Sequence, residues 1–92
     1  MRKLRVGVAG LGRGRLFVDI FQQHPQCEVV AVCDPDASKR EAIAGPRRFA
    51  DYAQFLNAGL DVVAVITPGP LHAEQSVLAM QHGSHVLCET PC

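Results

Sequence analysis

Apolar residues in this chain come in short runs, set apart by glycine, proline and acidic punctuation. Leu4 to Ala9 is one run, Glu28 to Cys33 a second, Asp61 to Ile66 the third and strongest, and His85 to Cys88 the last. Runs without polar alternation predict strands buried on both faces. The intervening segments change period. Leu16, Phe17, Ile20 and Phe21 recur at helical spacing, and Pro25 ends that helix. Asp36 is placed to cap a helix reaching about Ala44, stopped by Gly45-Pro46. Arg47-Arg48-Phe49 reads as a short strand. Asp51 then caps a short helix, with Gln54 as capping-box partner and Gly59 as its C-terminal glycine. Thr67-Pro68-Gly69-Pro70 is a turn. His72 to His82 predicts a helix with Ala73, Val77 and Met80 inward, ended by Gly83.

Strands that alternate with helices predict a parallel sheet covered on both faces, and right-handed crossovers make it doubly wound. The expected fold is α/β, with about five strands in the order 3-2-1-4-5. Ninety-two residues make one small domain, residues 1–92.

Composition narrows the partners. Lys plus Arg equals Asp plus Glu at nine each, so no net charge draws the chain to nucleic acid or an anionic membrane. No apolar run approaches the roughly 20 residues that span a bilayer. Arg13 and Arg15 interrupt the one segment that resembles a signal peptide's core. The four cysteines, at 27, 33, 88 and 92, form no CxxC and read as unpaired thiols. The expected compartment is the cytoplasm.

The chemistry sits where strands end. The first strand runs into Gly10-Leu11-Gly12-Arg13-Gly14-Arg15, and the second stops at Asp34, 24 positions after Gly10. Strand, glycine turn, helix, strand and acid is the order of a dinucleotide-binding βαβ unit. Gly10 allows the tight turn. Gly12 has no Cβ, so a pyrophosphate can approach the backbone, and the following helix offers unpaired N–H groups and a positive dipole end. The third fingerprint glycine falls at position 15, where Arg15 stands, and Gly14 is one residue early. Arg13 and Arg15 are either phosphate contacts or solvated loop residues. Asp34 can accept both hydrogen bonds from the adenosine ribose hydroxyls and would repel a 2′-phosphate, which favours NAD over NADP. It is also plausible turn chemistry in Asp34-Pro35-Asp36. Lys39 and Arg40 could restore NADP binding if they fold back. Thr67-Pro68 ends the strongest strand on the same carboxyl edge. His72 opens the next helix, as a site residue or as a surface or capping histidine. His24, His82 and His85 read as surface residues.

These pieces in order resemble the N-terminal domain of the glucose–fructose oxidoreductase/inositol dehydrogenase (Gfo/Idh/MocA) family. They are Gly10-Leu11-Gly12, Val30-Ala31-Val32-Cys33-Asp34-Pro35-Asp36, Thr67-Pro68-Gly69-Pro70-Leu71-His72, and Gly83-Ser84-His85-Val86-Leu87-Cys88-Glu89-Thr90-Pro91. The resemblance covers nearly the whole chain. It implies a Rossmann-type domain of an NAD(P)-dependent oxidoreductase acting on sugars, cyclitols and their relatives. Transient oxidation that leads to glycoside cleavage is a variant of that activity. The resemblance also implies cofactor contacts from Gly10, Gly12, Asp34, Thr67, Pro68 and His72, and from Glu89 beside the nicotinamide ribose.

Two departures from the family pattern matter. The family has Glu-Lys-Pro after the last strand, its lysine assisting proton movement. Here Thr90 stands at that position, and a threonine hydroxyl supplies no cation at neutral pH. The family's C-terminal substrate domain is also absent, so the chain reads as a truncated domain without catalytic residues of its own. The alternative is a non-catalytic nucleotide-binding or regulatory module. The expected partners are the dinucleotide and, through an exposed edge at His85 to Cys88, a second copy in a homodimer.

Overall fold

The protein is described by a computed structural model, and the structure describes residues 3–88. Its elements follow the punctuation. They are β1 (Leu4–Ala9), α1 (Gly14–Gln23), β2 (Cys27–Cys33), α2 (Ala37–Glu41), β3 (Arg47–Phe49), α3 (Tyr52–Leu56), β4 (Val62–Val65), α4 (His72–Gln81) and β5 (His85–Cys88). A turn of 3₁₀ helix, Gly69–Leu71, leads into α4. Every strand pairing is parallel, and the spatial order is β3-β2-β1-β4-β5, as expected from the sequence.

The central strands are buried on both faces along their carboxyl halves, where Val6 to Ala9, Val29 to Cys33 and Val62 to Val65 carry no polar side chain. Val6, Val8, Val18, Val29, Val32 and Ile66 pack on the face that α1 covers, with Phe17 and Phe21 against them. Phe55, Leu56, Leu60, Val63, Val65 and Ala79 pack on the face of α3 and α4. A bulge between Val6 and Gly7 pairs Val6 with Val29 and Gly7 with Ala31, leaving Val30 over. Val30 and Ala31 therefore both pack on the α3/α4 side. Gly7 sits under Phe55, and a Cβ there would lie 2.7 Å from the end of that ring.

The caps behave as their chemistry requires. The Asp36 side chain accepts from the Ser38 N–H at 2.9 Å and from its hydroxyl at 2.7 Å. These bonds hold the carboxyl of Asp36 below its usual pKa. Asp51 accepts from the Ala53 and Gln54 N–H groups.

Two helices sit in a different phase from the one their apolar residues suggest. In α1 the sheet-facing positions are Gly14, Phe17, Val18 and Phe21, while Leu16 and Ile20 are 68% and 60% exposed. The Gly14 contact fixes this, because a Cβ at Gly14 would come within 3.0 Å of Val8. In α4, Ala73, Val77 and Met80 face outward, not inward, with Val77 and Met80 48% and 56% exposed. The inward positions are His72, Gln75, Ser76 and Ala79. Polar anchors set that phase. Tyr52 Oη donates to the Gln75 carbonyl at 2.7 Å, and Thr67 Oγ1 donates to Gln75 Oε1 at 2.5 Å. Ala79 is fully buried in the core on the α3/α4 side of the sheet.

Candidate functional site

The carboxyl ends of β1, β2 and β4 converge on one cleft, built from three turns. The first is the glycine turn. Gly10 has φ +91°, and its N–H donates to the Cys33 carbonyl at 2.8 Å. A Cβ on Gly10 would fall 2.7 Å from the backbone of Ile66, so β1 and β4 close on each other through this residue. Gly12 differs, because the one atom near its Cβ position is Lys39 Nζ at 3.7 Å. Its backbone faces open space. Gly14, buried against Val8 and Ile66, makes the close helix–strand approach expected of the third fingerprint glycine, although it is one residue early.

The second turn follows β2. Asp34 is 7% exposed and tied down from several sides. Its Oδ2 accepts the Leu11 N–H at 2.8 Å, and its Oδ1 accepts the Asp36 N–H at 2.8 Å. Its own N–H donates to the Phe49 carbonyl at 3.0 Å. Asp34 takes the turn role that its place in Asp34-Pro35-Asp36 offered. It shapes the turn and clamps the glycine loop, and each carboxylate oxygen keeps a lone pair for a further donor. Arg40 is spent on structure, its guanidinium donating to the Asp34 carbonyl at 2.8 Å. Lys39 folds back and lines the cleft beside Asp34.

The third turn follows β4. Thr67 is held by Gln75, and its carbonyl accepts a hydrogen bond from His72 Nε2. A carbonyl only accepts, so Nε2 is the donor, and the buried Nδ1 has no hydrogen-bond partner among the described residues. At 6% exposure His72 is a wall of the cleft and not a surface residue.

The cleft divides into two adjoining cavities that share Gly10, Asp34, Lys39, Thr67 and Pro68. The first, about 340 Å³, adds Gly12, Arg13 and His72. The second, about 450 Å³, runs between Pro35, Tyr52, Leu71 and Gln75. Seven of the residues singled out in the sequence, Gly10, Gly12, Arg13, Asp34, Thr67, Pro68 and His72, therefore line one cavity. Glu89 and Thr90 lie outside the described residues. Sequence reasoning missed Tyr52, Leu71 and Gln75, which carry no local signal and reach the cleft only through the packing of α3 and α4. At the floor, burial and the neighbouring Asp34 charge push the Cys33 thiol up to about 11. Burial and Cys33 push the Tyr52 phenol to about 12. Both stay neutral at physiological pH. Among the described residues no group of three or more His, Cys, Asp or Glu could hold a metal ion.

Comparison with known proteins agrees with this geometry. A family model described as an oxidoreductase family with an NAD-binding Rossmann fold (GFO_IDH_MocA) matches residues 4–92. A glycosyl hydrolase family 109 protein of Streptomyces filamentosus is 38% identical over 103 residues, covering 96% of this chain and 21% of that protein. The D-glucoside 3-dehydrogenase of Escherichia coli K12 is 33% identical, covering 96% of this chain and 27% of that protein. Among solved structures, the WlbA dehydrogenase of Bordetella pertussis, in complex with NADH and UDP-GlcNAcA, superposes with a TM-score of 0.91 at 32% identity. That match covers 98% of this chain and 30% of WlbA. The chain thus spans between a fifth and a third of the length of these relatives.

Proposed function

The chain belongs to the Gfo/Idh/MocA oxidoreductase family, with its NAD-binding Rossmann fold, and from that premise we propose that residues 1–92 are the dinucleotide-holding unit of an enzyme that moves a hydride between nicotinamide and a sugar-like or cyclitol substrate. One observation carries the reading. The glycine turn, the acid after β2 and the Thr67-Pro68 turn line a single cleft at the carboxyl edge of a parallel sheet, where open α/β sheets bind ligands.

The residues fit the cofactor. The open backbone at Gly12 and the start of α1 suit the pyrophosphate, with Arg13 at its side. The remaining lone pairs of Asp34 suit the adenosine ribose hydroxyls. The larger cavity, walled by Pro35, Pro68 and Leu71, suits the adenine. Thr67, Pro68 and His72 border the space left for the nicotinamide half, and Glu89 joins them on family resemblance. The nicotinamide, when bound, supplies the hydride acceptor or donor. The protein's own part is to bind and orient it.

Asp34 favours NAD over NADP by repelling a 2′-phosphate. Lys39, folded over the same space, offsets part of that repulsion, so NADP binds more weakly without being excluded. Thr90 leaves proton transfer to some group other than the family lysine, and residues 1–92 alone transfer no hydride. The names of the relatives, a glucoside dehydrogenase and a glycosyl hydrolase family 109 protein, favour a carbohydrate substrate. No helix among the described residues is long and apolar enough to cross a membrane. We place the protein in the cytoplasm.

Calorimetric titration of the chain with NAD, NADP and adenosine diphosphate tests the reading. Saturable NAD binding that Gly12→Ala weakens is the expected result. A folded chain that binds none of the three refutes it.

A further inference from the structure

We propose that Gln75 sets the base selectivity of the cleft: by holding the hydrogen of the Thr67 hydroxyl, it makes the second cavity accept a purine with an amino group at its six position and refuse the six-oxo purine. Base selectivity of this kind presupposes the dinucleotide site proposed above.

Gln75 stands in the first turn of α4, half-buried. Two hydroxyls aim their hydrogens at it. Thr67 Oγ1 donates to Gln75 Oε1 at 2.5 Å, and Tyr52 Oη donates to the Gln75 backbone carbonyl at 2.7 Å. A carbonyl oxygen can only accept, so each hydroxyl hydrogen is committed, and each hydroxyl offers a ligand nothing but lone pairs. Burial keeps the Tyr52 phenol protonated, pushed up to about 12, so the direction of its bond does not change near neutral pH. Thr67, Tyr52 and Gln75 all line the second cavity, together with the carboxylates of Asp34 and Asp36. Asp34 is an acceptor in the same sense, since its two oxygens already receive backbone N–H groups and keep their other lone pairs.

A base held between Pro35, Pro68 and Leu71 shares that cavity with Tyr52, Thr67 and Gln75. The amino hydrogens of adenine meet acceptors there, and the amide NH2 of Gln75 supplies the donor that an adjacent ring nitrogen needs. Hypoxanthine carries a carbonyl oxygen in place of the amine. Oxygen then faces oxygen with no hydrogen between them, and a desolvated acceptor is left unpaired. Lys39 also lines the cavity, but its Nζ stands 3.7 Å from the Cβ position of Gly12, at the glycine turn. Gln75 acts through Thr67, as a positioning residue. Without it the Thr67 hydroxyl turns about its C–O bond and donates or accepts as either base requires, and the distinction between them fades.

Calorimetric titration of the chain with NAD and with nicotinamide hypoxanthine dinucleotide tests this. The unmodified chain should bind NAD at least about tenfold more tightly. Gln75→Met keeps the length of the side chain and the backbone carbonyl that holds Tyr52, and should bring the two affinities within about threefold. Gln75→Glu still accepts from Thr67 and should keep the preference, although its charge weakens the binding of both dinucleotides. Thr67→Val, close in shape and without the hydroxyl, should lose the preference as Gln75→Met does. A role for Gln75 in packing alone would weaken both ligands equally and leave their ratio unchanged. Equal affinities in the unmodified chain overturn the inference and leave the dinucleotide site standing. A preference that survives Gln75→Met or Thr67→Val, or that Gln75→Glu abolishes, overturns it as well. A folded chain that binds neither dinucleotide overturns the dinucleotide site and the selectivity together.

Discussion

Replacing Gly10 and Gly12 separately with alanine distinguishes the two things a glycine turn does. At Gly10 the backbone has φ +91°, a region that opposes any side chain at a cost of about 1–2 kcal/mol. The new Cβ would also stand 2.7 Å from the carbonyl carbon and oxygen of Ile66 and 2.8 Å from Thr67 N, where ordinary contact begins at 3.4 Å. These are backbone atoms at the end of β4, so relief requires β1 and β4 to separate, at about 1–3 kcal/mol. The less flexible unfolded chain gives back about 0.4–1 kcal/mol. The net loss is about 1–4.5 kcal/mol. A domain this size has roughly 5–14 kcal/mol in total, and each kcal/mol shifts Tm by about 4–8 °C. Gly10→Ala should therefore lower Tm by at least about 4 °C. Gly12→Ala meets only Lys39 Nζ at 3.7 Å, and stability should stay within about 0.5 kcal/mol. Its Cβ projects into the proposed pyrophosphate space, so NAD affinity should fall at least tenfold, about 1.4 kcal/mol. Urea denaturation followed by circular dichroism, with calorimetric titration, measures both. Equal unfolding midpoints for Gly10→Ala and the unmodified chain would refute the steric argument, and undiminished NAD binding by Gly12→Ala would refute the assignment of the phosphate site.

Asp34→Ser should narrow the preference for NAD over NADP and also lower stability, because the bonds from the Leu11 and Asp36 N–H groups are lost. Comparable affinities of the unmodified chain for the two cofactors would count against the role given to Asp34. Lys39→Ala should weaken NADP binding more than NAD binding, read from the same titrations. Stability should decline in alkali. The folded state holds Cys33 neutral to about 11 against an ordinary 9.0, and Tyr52 to about 12 against 10.0. Their contribution is whole below pH 9 and is lost as pH rises through 9–12, because the unfolded chain ionises first. Urea midpoints measured across that window check the sign, and a Cys33→Ala variant should show a shallower decline. Gly7→Ala should cost about 1–3 kcal/mol, since its Cβ would press on the buried Phe55 ring; an unchanged urea midpoint would rule that out.

The sheet and the glycine turn were legible because their signals are local. A strand buried on both faces must be apolar at every position, so Val6 to Ala9, Val29 to Cys33 and Val62 to Val65 declare themselves without reference to neighbours. Gly10 and Asp34 likewise mark turns that few other residues make. Tertiary structure decided what depends on contact between elements. Leu16, Ile20, Val77 and Met80 look like core by spacing, yet they face outward. Packing chose the other phase, in α1 through the close approach of Gly14 to Val8 and in α4 through the bonds of Tyr52 and Thr67 to Gln75. Helix periodicity states only that a stripe exists, and a helix apolar on more than one side leaves open which stripe is buried. The same holds for the cleft. Its glycines, acid and Thr-Pro turn were written in the chain. The engagement of Asp34 by Leu11, the return of Lys39 over Gly12 and the burial of His72 arise only when residues distant in sequence close on one another.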